Sequence, residues 1–389
     1  MNKTDFEIDL RVASEGYDRK TCWVHPRPGY LPNHDATVVT MQKLRLTGDD
    51  VAYELNDLRT DDAAATWIGP VAHKETLGRR PAPGGREEGP SDFSLAWHIP
   101  SQTLLGIGHT VLYFEDNLPP LPRPRSTSYS AYDPEARTWS TWKKLEVPGN
   151  PKFDADGLGG AGSTQRFDLP NGDILLPTYF ALPDTVRPEE HYMQFAAAVM
   201  RCSFDGTTLR YIEHGSELTL GEGRGFVEPS ITSVQGRFFL TLRNDLSGYV
   251  TTSEDGLHYE TPKPWTFDDG SDLGNYNTQQ HWVTHHDDLF LVYTRKGANN
   301  DHVMRHRAPL FIAQVDLDRL CVIRDTEKIL VPEKGARLGN FGVTKISENE
   351  SWVTVAEWMQ TKLPDWWNSK ICEKYGSDNR IYVAKVHFK

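Results

Sequence analysis

The feature that most constrains this chain is a repeated unit of four short extended segments. It is clearest from Glu228 onward: EPSITSV, a QG turn, RFFLTLRND, a short loop, GYVTTSEDG, then LHYETPKPW. Runs of alternating, β-branched and aromatic residues bounded by Gly, Asn, Asp and Pro read as strands. Four of them in about 40 residues is the size of a propeller blade. A second copy starts at Gln279 and a third at Gly339. Upstream, the segments from Gly162, from Leu104 and from Ala36 supply three more. The last copy has only three strands of its own, ending in RIYVAKVHF, and DFEIDLRVA at the N-terminus is a free strand that can complete it. Such an exchange closes a ring and hides an edge. The expectation is therefore an all-β, six-bladed β-propeller, one domain over residues 1–389, with the ring closed by the N-terminal strand. The Pro-, Gly- and Arg-rich stretch from Arg79 to Pro90 reads as a loop between blades.

Composition narrows the function. The hydrophobic fraction of 38% with 25% charged residues suits a folded soluble chain. A formal charge of −12 argues against nucleic acid, whose backbone calls for a basic face. No run of 18 apolar residues occurs, so no membrane partner is expected. Met1 to Leu10 is polar and acidic, which reads as cytoplasmic for the chain as given, or as secreted or periplasmic if a signal peptide has been removed. Cys22, Cys202, Cys321 and Cys372 are widely spaced with no CxxC pair, so reduced buried thiols are expected. No metal and no cofactor is implied, and the oligomeric state stays open.

Four turns between third and fourth strands carry a common pattern. Thr60 to Trp67 (TDDAAATW), SFDGTTL around Asp205, SEDGLHY around Asp255 and YDPEARTW at Tyr132 to Trp139 place an Asp where it caps backbone N–H groups. They resemble the Asp-box of sialidases and their BNR-repeat relatives. The resemblance extends inward: that family opens one blade with a catalytic glutamate in an E-P-x-[IV] sequence and ends the next strand with an arginine that binds the substrate carboxylate. Glu228, Pro229, Ile231 and Arg243 stand at that spacing. The resemblance implies a sialidase-like fold and an enzyme acting on a sugar. Three departures set the chain apart from a true sialidase. Pro26-Arg27-Pro28 replaces an R-I-P sequence, the family's acid aspartate falls near Gln42, and Asn340 and Phe341 stand where its tyrosine nucleophile belongs.

Strand direction sorts the candidates by face. Strand-1 starts and the loops from strand 2 to strand 3 gather at one end of the axis, and the Asp turns lie at the other. Glu228, Asp301, His281 and His302 are the candidate acids and bases. Arg27, Arg243, Gln280, Arg295, Asn300, Arg305, Arg307 and Asn340 are the candidate sugar ligands, four of them drawn from or beside the polar loop Gly297 to Pro309. Arg166 is a further possible anion ligand, His109 reads as packed within a strand, and Trp366 and Trp367 could stack on a sugar or pack over the ring closure. The partner expected is an oligosaccharide or glycoside. Hydrolysis of an acidic or deoxy sugar is the leading function, with two carboxylates flanking the bond. Elimination by a polysaccharide lyase on a uronate and non-catalytic sugar binding are the alternatives.

Overall fold

The computed structural model describes residues 3–46, 50–153, 157–190 and 192–389. Its strands form six antiparallel sheets arranged as blades. Blade 1 runs outward through Thr21–Leu31, Ala36–Arg45, Ala52–Thr60 and Ile68–Ala72. The first strands of blades 2, 4, 5 and 6 are Arg86–His98, Val227–Val234, His281–His285 and Phe341–Ser347. Blade 3 starts from two short pieces, Gly159–Gly160 and Phe167–Asp168, both paired with Ile174–Ala181. The helices are four and six residues long, and none among the described residues is long and apolar enough to cross a membrane.

The alternation that marks the strands also explains how blades pack. Both faces of each sheet are covered, so the core is a series of wedges, one between each pair of neighbours. Leu31, Val38 and Leu55 of blade 1 meet Phe93, Leu104 and Tyr132 of blade 2. Val234, Phe239 and Trp265 of blade 4 meet Trp282, Leu289 and Leu291 of blade 5. Val39, Met41 and Leu58 meet Ala356 and Ile381, so blade 6 seals against blade 1.

The ring closes as expected. Phe6–Ser14 pairs antiparallel with the C-terminal strand Ile381–Phe388 in a register that sets Phe6 opposite Phe388 and Val12 opposite Tyr382. Phe6 is buried against Phe290 of blade 5, ring centroids 5.5 Å apart. The Arg79–Pro90 stretch, in contrast, is not an inter-blade loop. Arg80–Ala82 and Arg86–His98 form a hairpin turned at Gly84 and Gly85, both at positive φ, and the second arm is the long inner strand of blade 2. Its charged residues hid an edge hairpin.

Turns between third and fourth strands are built alike in five blades. In each, one Asp carboxylate accepts N–H bonds from the following residues: Asp62 from Thr66 (2.9 Å), Asp133 from Glu135 and Ala136 (both 2.9 Å), Asp205 from Thr208 (2.8 Å), Asp255 from Leu257 and His258 (both 2.8 Å) and Asp316 from Arg319 (2.9 Å). Asp316 was not among the turns picked out in the sequence, because no Gly or Ser marks it. All four cysteines are buried and free.

Removing residues 1–12 strips the outer strand of blade 6 and uncovers the wedge beneath Phe6. The expected outcome is a lower melting temperature for the whole molecule in a single transition, and Phe6→Ala alone should cost about 3–5 kcal/mol. Denaturant melts followed by tryptophan fluorescence measure both, and a truncation that melts like the full chain would refute closure as a stabilising element.

Candidate functional site: the axial funnel

Within the inner strands, three blades depart from regular pairing where they border the same cavity. The register slips between Val24 and Arg27, between Ser91 and Ser94 and between Val227 and Ser230, leaving two residues unpaired each time. The first of each bulge takes a positive φ: His25 at 56°, Asp92 at 51° and Glu228 at 48°. Ser163 of blade 3 has the same conformation at 56°. Left-handed backbone is costly for residues with a Cβ, and its recurrence in four blades around one axis singles out this region as the candidate site. Bulges re-aim side chains, and here His25, Asp92 and Glu228 line one axial cavity of about 350 Å³.

Glu228 sits on the floor, with Arg243 Nη1 donating to Oε1 at 2.5 Å. Its Oε2 is sealed from solvent and has no partner. Arg243 Nη2 also donates to Asn277 Oδ1 at 2.6 Å. Around this pair stand Arg125, Arg224, Arg305, Arg307 and Arg337. Arg224 is matched by Asp245 at 2.8 Å. Arg125, Arg305, Arg307 and Arg337 make no ion pair with any described residue. Arg307 donates to the Asn277 carbonyl at 3.1 Å and to Asn340 Oδ1 at 3.3 Å, and Arg337 lies 3.3 Å over the Trp358 ring. Burial and mutual repulsion make these cations uncomfortable. Arg305 is pushed down to about 10 and Arg337 to about 9, while Arg307 falls well below its usual value.

Opposite Glu228, Asp92 lies between two imidazoles. His25 Nδ1 is 3.3 Å from Oδ1 and His109 Nε2 is 3.6 Å from Oδ2, while Ser163 Oγ donates to Oδ1 at 2.6 Å. Burial opposes the Asp92 anion, yet the two facing rings, Arg27 and Ser163 outweigh it and hold the carboxyl below its usual range. Burial drives the rings the other way: His109 is pushed down to about 3, helped by Arg125, and His25 is lowered although Asp92 opposes. At neutral pH the cluster is therefore one carboxylate flanked by two neutral imidazoles. The Tyr179 hydroxyl meets His109 Nδ1 at 3.4 Å and accepts from Arg125 at 2.9 Å. A Cβ on Gly162 would fall 1.8 Å from His109 Nδ1, so glycine is needed there.

Of the twelve residues singled out in the sequence, Glu228, Arg243, Arg305, Arg307 and Asn340 line the funnel. The others are elsewhere. His281 and Arg27 lie deeper along the axis than the bulges, and Gln280 is turned away from it toward blade 4. His281 is buried between Ser230 Oγ (2.8 Å) and Gln279 Nε2 (2.9 Å), and burial holds it neutral. Gln280 bridges Thr241 and the Thr278 carbonyl. Arg27 is buried with Ser163 (2.8 Å) and Gln279 (2.9 Å) and lines a second chamber of about 730 Å³ below the floor. Arg295 is taken by Glu327 at 2.6 Å. Asn300 braces its loop by donating to the carbonyls of Arg295 (2.8 Å) and Ala308 (2.6 Å). Asp301 is exposed, 3.1 Å from His306. His302 stacks on Tyr375 and meets Glu333 at 2.9 Å. Arg166 is paired with Asp168 at 2.8 Å, and Trp366 stacks on Trp367 outside the cavity. His25, Asp92, His109, Tyr179, Arg337 and Asp50 also line the funnel; the one sequence signal shared by two bulges is a residue before Pro in the inner strand, His25-Pro26 and Glu228-Pro229. No group of three or more His, Cys, Asp or Glu among the described residues is arranged to hold a metal.

This architecture is a six-bladed propeller of the sialidase-like kind. Solved structures of the same fold include a protein of unknown function from Dyadobacter fermentans (13% identity over 98% of this chain and 99% of that one, TM-score 0.60). The NanB sialidase of Streptococcus pneumoniae (10% identity, 96% and 70%, TM-score 0.65) and the Trypanosoma rangeli sialidase (13% identity, 94% and 55%, TM-score 0.55) share it too. The chain thus spans about half the length of the trypanosomal protein. No protein-family model matches the chain, and no curated protein matches it in sequence.

The Glu228–Arg243 pair offers a direct test of how the floor is held. Arg243→Ala strands a buried carboxylate and should cost about 3–5 kcal/mol, whereas replacing the pair together by Gln and Met should restore most of that loss. Urea melts of the single and double variants measure it.

Proposed function

We propose that the funnel is the active site of a carbohydrate-active enzyme, a glycoside hydrolase that takes a sugar carrying an anionic substituent. The observation that carries this reading is the arginine excess. Arg305, Arg307 and Arg337 converge on a small cavity and make no ion pair with any described residue, and burial first, then mutual repulsion, lowers their pKa values although Asp50, Asp245 and Glu228 oppose it. A substrate carboxylate or sulfate supplies a counter-ion, and a guanidinium fork reads such groups with two parallel bonds. Glu228 lines the same cavity, held in place by Arg243. The five Asp-capped turns support placing the chain with Asp-box propellers, and the sialidase neighbours, enzymes that act on acidic sugars, fit the same substrate class.

Elimination on a uronate is the second reading, favoured by the neutral imidazoles flanking Asp92: an uncharged ring can take the proton beside a carboxylate that arginines neutralise. The two reactions are told apart by product, since elimination alone leaves an unsaturated sugar with new ultraviolet absorbance.

A panel of aryl glucuronides, galacturonides, sulfated glycosides, rhamnosides and a 2-keto sialoside tests the proposal. Turnover is expected on anionic members, with Glu228→Gln lowering kcat/KM by at least about 100-fold and Arg307→Lys acting mainly on KM. The sialoside should not be cleaved, because Phe341 is fully buried and Asn340 carries no nucleophile. Turnover confined to neutral glycosides, or full activity in Glu228→Gln, would refute the assignment.

A further inference from the structure

We propose that His25 is a catalytic proton acceptor of this funnel and that Asp92 positions it, so that an imidazole–carboxylate dyad serves where the sialidase resemblance calls for other groups. The inference rests on the reading of the funnel as a site for an anionic glycoside and adds the residue that moves the proton.

Three independent features converge on His25. Its backbone is held at φ 56° in a bulge matched in the blades that carry Asp92 and Glu228, so the same device presents all three side chains to the axis. The ring is fixed on two sides: Trp358 meets it edge-on, centroids 5.4 Å apart, and Nδ1 is turned to Asp92 at 3.3 Å, sealed from solvent. His25 lines the cavity, and its Nδ1 edge is the one given to Asp92. Asp92 has no competing cation within bonding distance except Arg27 at 3.5 Å, so the carboxylate is kept for the two imidazoles and Ser163. A carboxylate behind Nδ1 selects the tautomer with Nδ1–H and leaves Nε2 bare, which is the form a base requires. The Nδ1 contact is close but poorly aligned, as is common for such pairs before substrate tightens them.

In hydrolysis, Nε2 takes a proton from a water molecule as the water oxygen bonds to the anomeric carbon. The glycosidic C–O bond breaks with its electron pair going to the leaving oxygen, which is protonated by solvent at the open mouth. The imidazolium then returns its proton to water. The charged groups around His25 are Asp92, Arg27, Asp50 and Arg337, with neutral His109 across Asp92. Burial and the two arginines keep the ring neutral, and Asp92 and Asp50 pull the other way. Loss of the Asp92 charge therefore lowers the His25 pKa, and the acid limb of kcat/KM, below which a base is protonated and inactive, moves to lower pH.

The test combines ring spectra with kinetics. Nitrogen NMR of the histidine-labelled protein should show His25 with Nδ1–H and bare Nε2, and the Nε2 signal should move when glucuronate is added. On the glycoside turned over fastest, His25→Gln should lose at least about 100-fold in kcat with KM little changed. Asp92→Asn should lower kcat and shift the acid limb downward, an effect a purely structural role does not produce. If His25→Gln fails to fold, His25→Asn and the wild-type spectrum carry the decision. An Nε2–H tautomer, a ring blind to glucuronate that does bind, near-normal kcat in His25→Gln, or an unmoved limb in Asp92→Asn would each overturn the dyad. Failure of the anionic-sugar reading looks different: neither binding nor turnover of any anionic sugar, whatever the tautomer, and it takes the catalytic claim with it.

Discussion

Everything in this molecule depends on the antiparallel pairing of the first and last strands. Each blade is a sheet with two apolar faces, and a sheet of that kind is stable only between two neighbours. Six wedges need six interfaces, and the sixth exists only because residues 6–14 complete the blade to which residues 381–388 belong. Closure also creates the axis: only in a ring do the starts of inner strands, far apart along the chain, face one another across a few ångströms.

The site spends some of the stability that closure provides. Residues in left-handed conformation cost on the order of 1–3 kcal/mol each, and the funnel carries three, His25, Asp92 and Glu228, with Ser163 beneath them and arginines without ion pairs above. Such an arrangement gathers positive charge on the axis without a matching set of ion pairs. The neighbouring pairs offset part of this charge: Glu228 matches Arg243, Asp245 matches Arg224, and the oxygens of Ser163, Asn277 and Asn340 accept from Arg27, Arg243 and Arg307.

Much of the fold was legible because its signals are local. Strand alternation and Asp-capped turns repeat at blade spacing, and strand direction alone assigns Glu228, Arg243, Arg305, Arg307 and Asn340 to one end of the axis. The hairpin at Arg80–His98 was missed because its Pro, Gly and Arg composition is that of a loop. Depth along the axis was not legible either. His281 stands at the opening of an inner strand, yet without a bulge there it passes beneath the floor, while Gln280 beside it turns toward blade 4. His25 and Asp92 reach the cavity because their strands each carry one extra residue at the bulge, and a one-residue slip reverses which side chains face inward. Only the proline after His25 hinted at this, and Asp92 lacks even that.

Beneath the floor, Arg27, Ser163, Gln279 and His281 form a buried layer between the funnel and the lower chamber. The axis is thus stopped like a bottle rather than bored through like a bead. Nothing that enters the funnel can thread past that stopper. Whatever reaches the floor must go in end first and back out through the mouth by which it came.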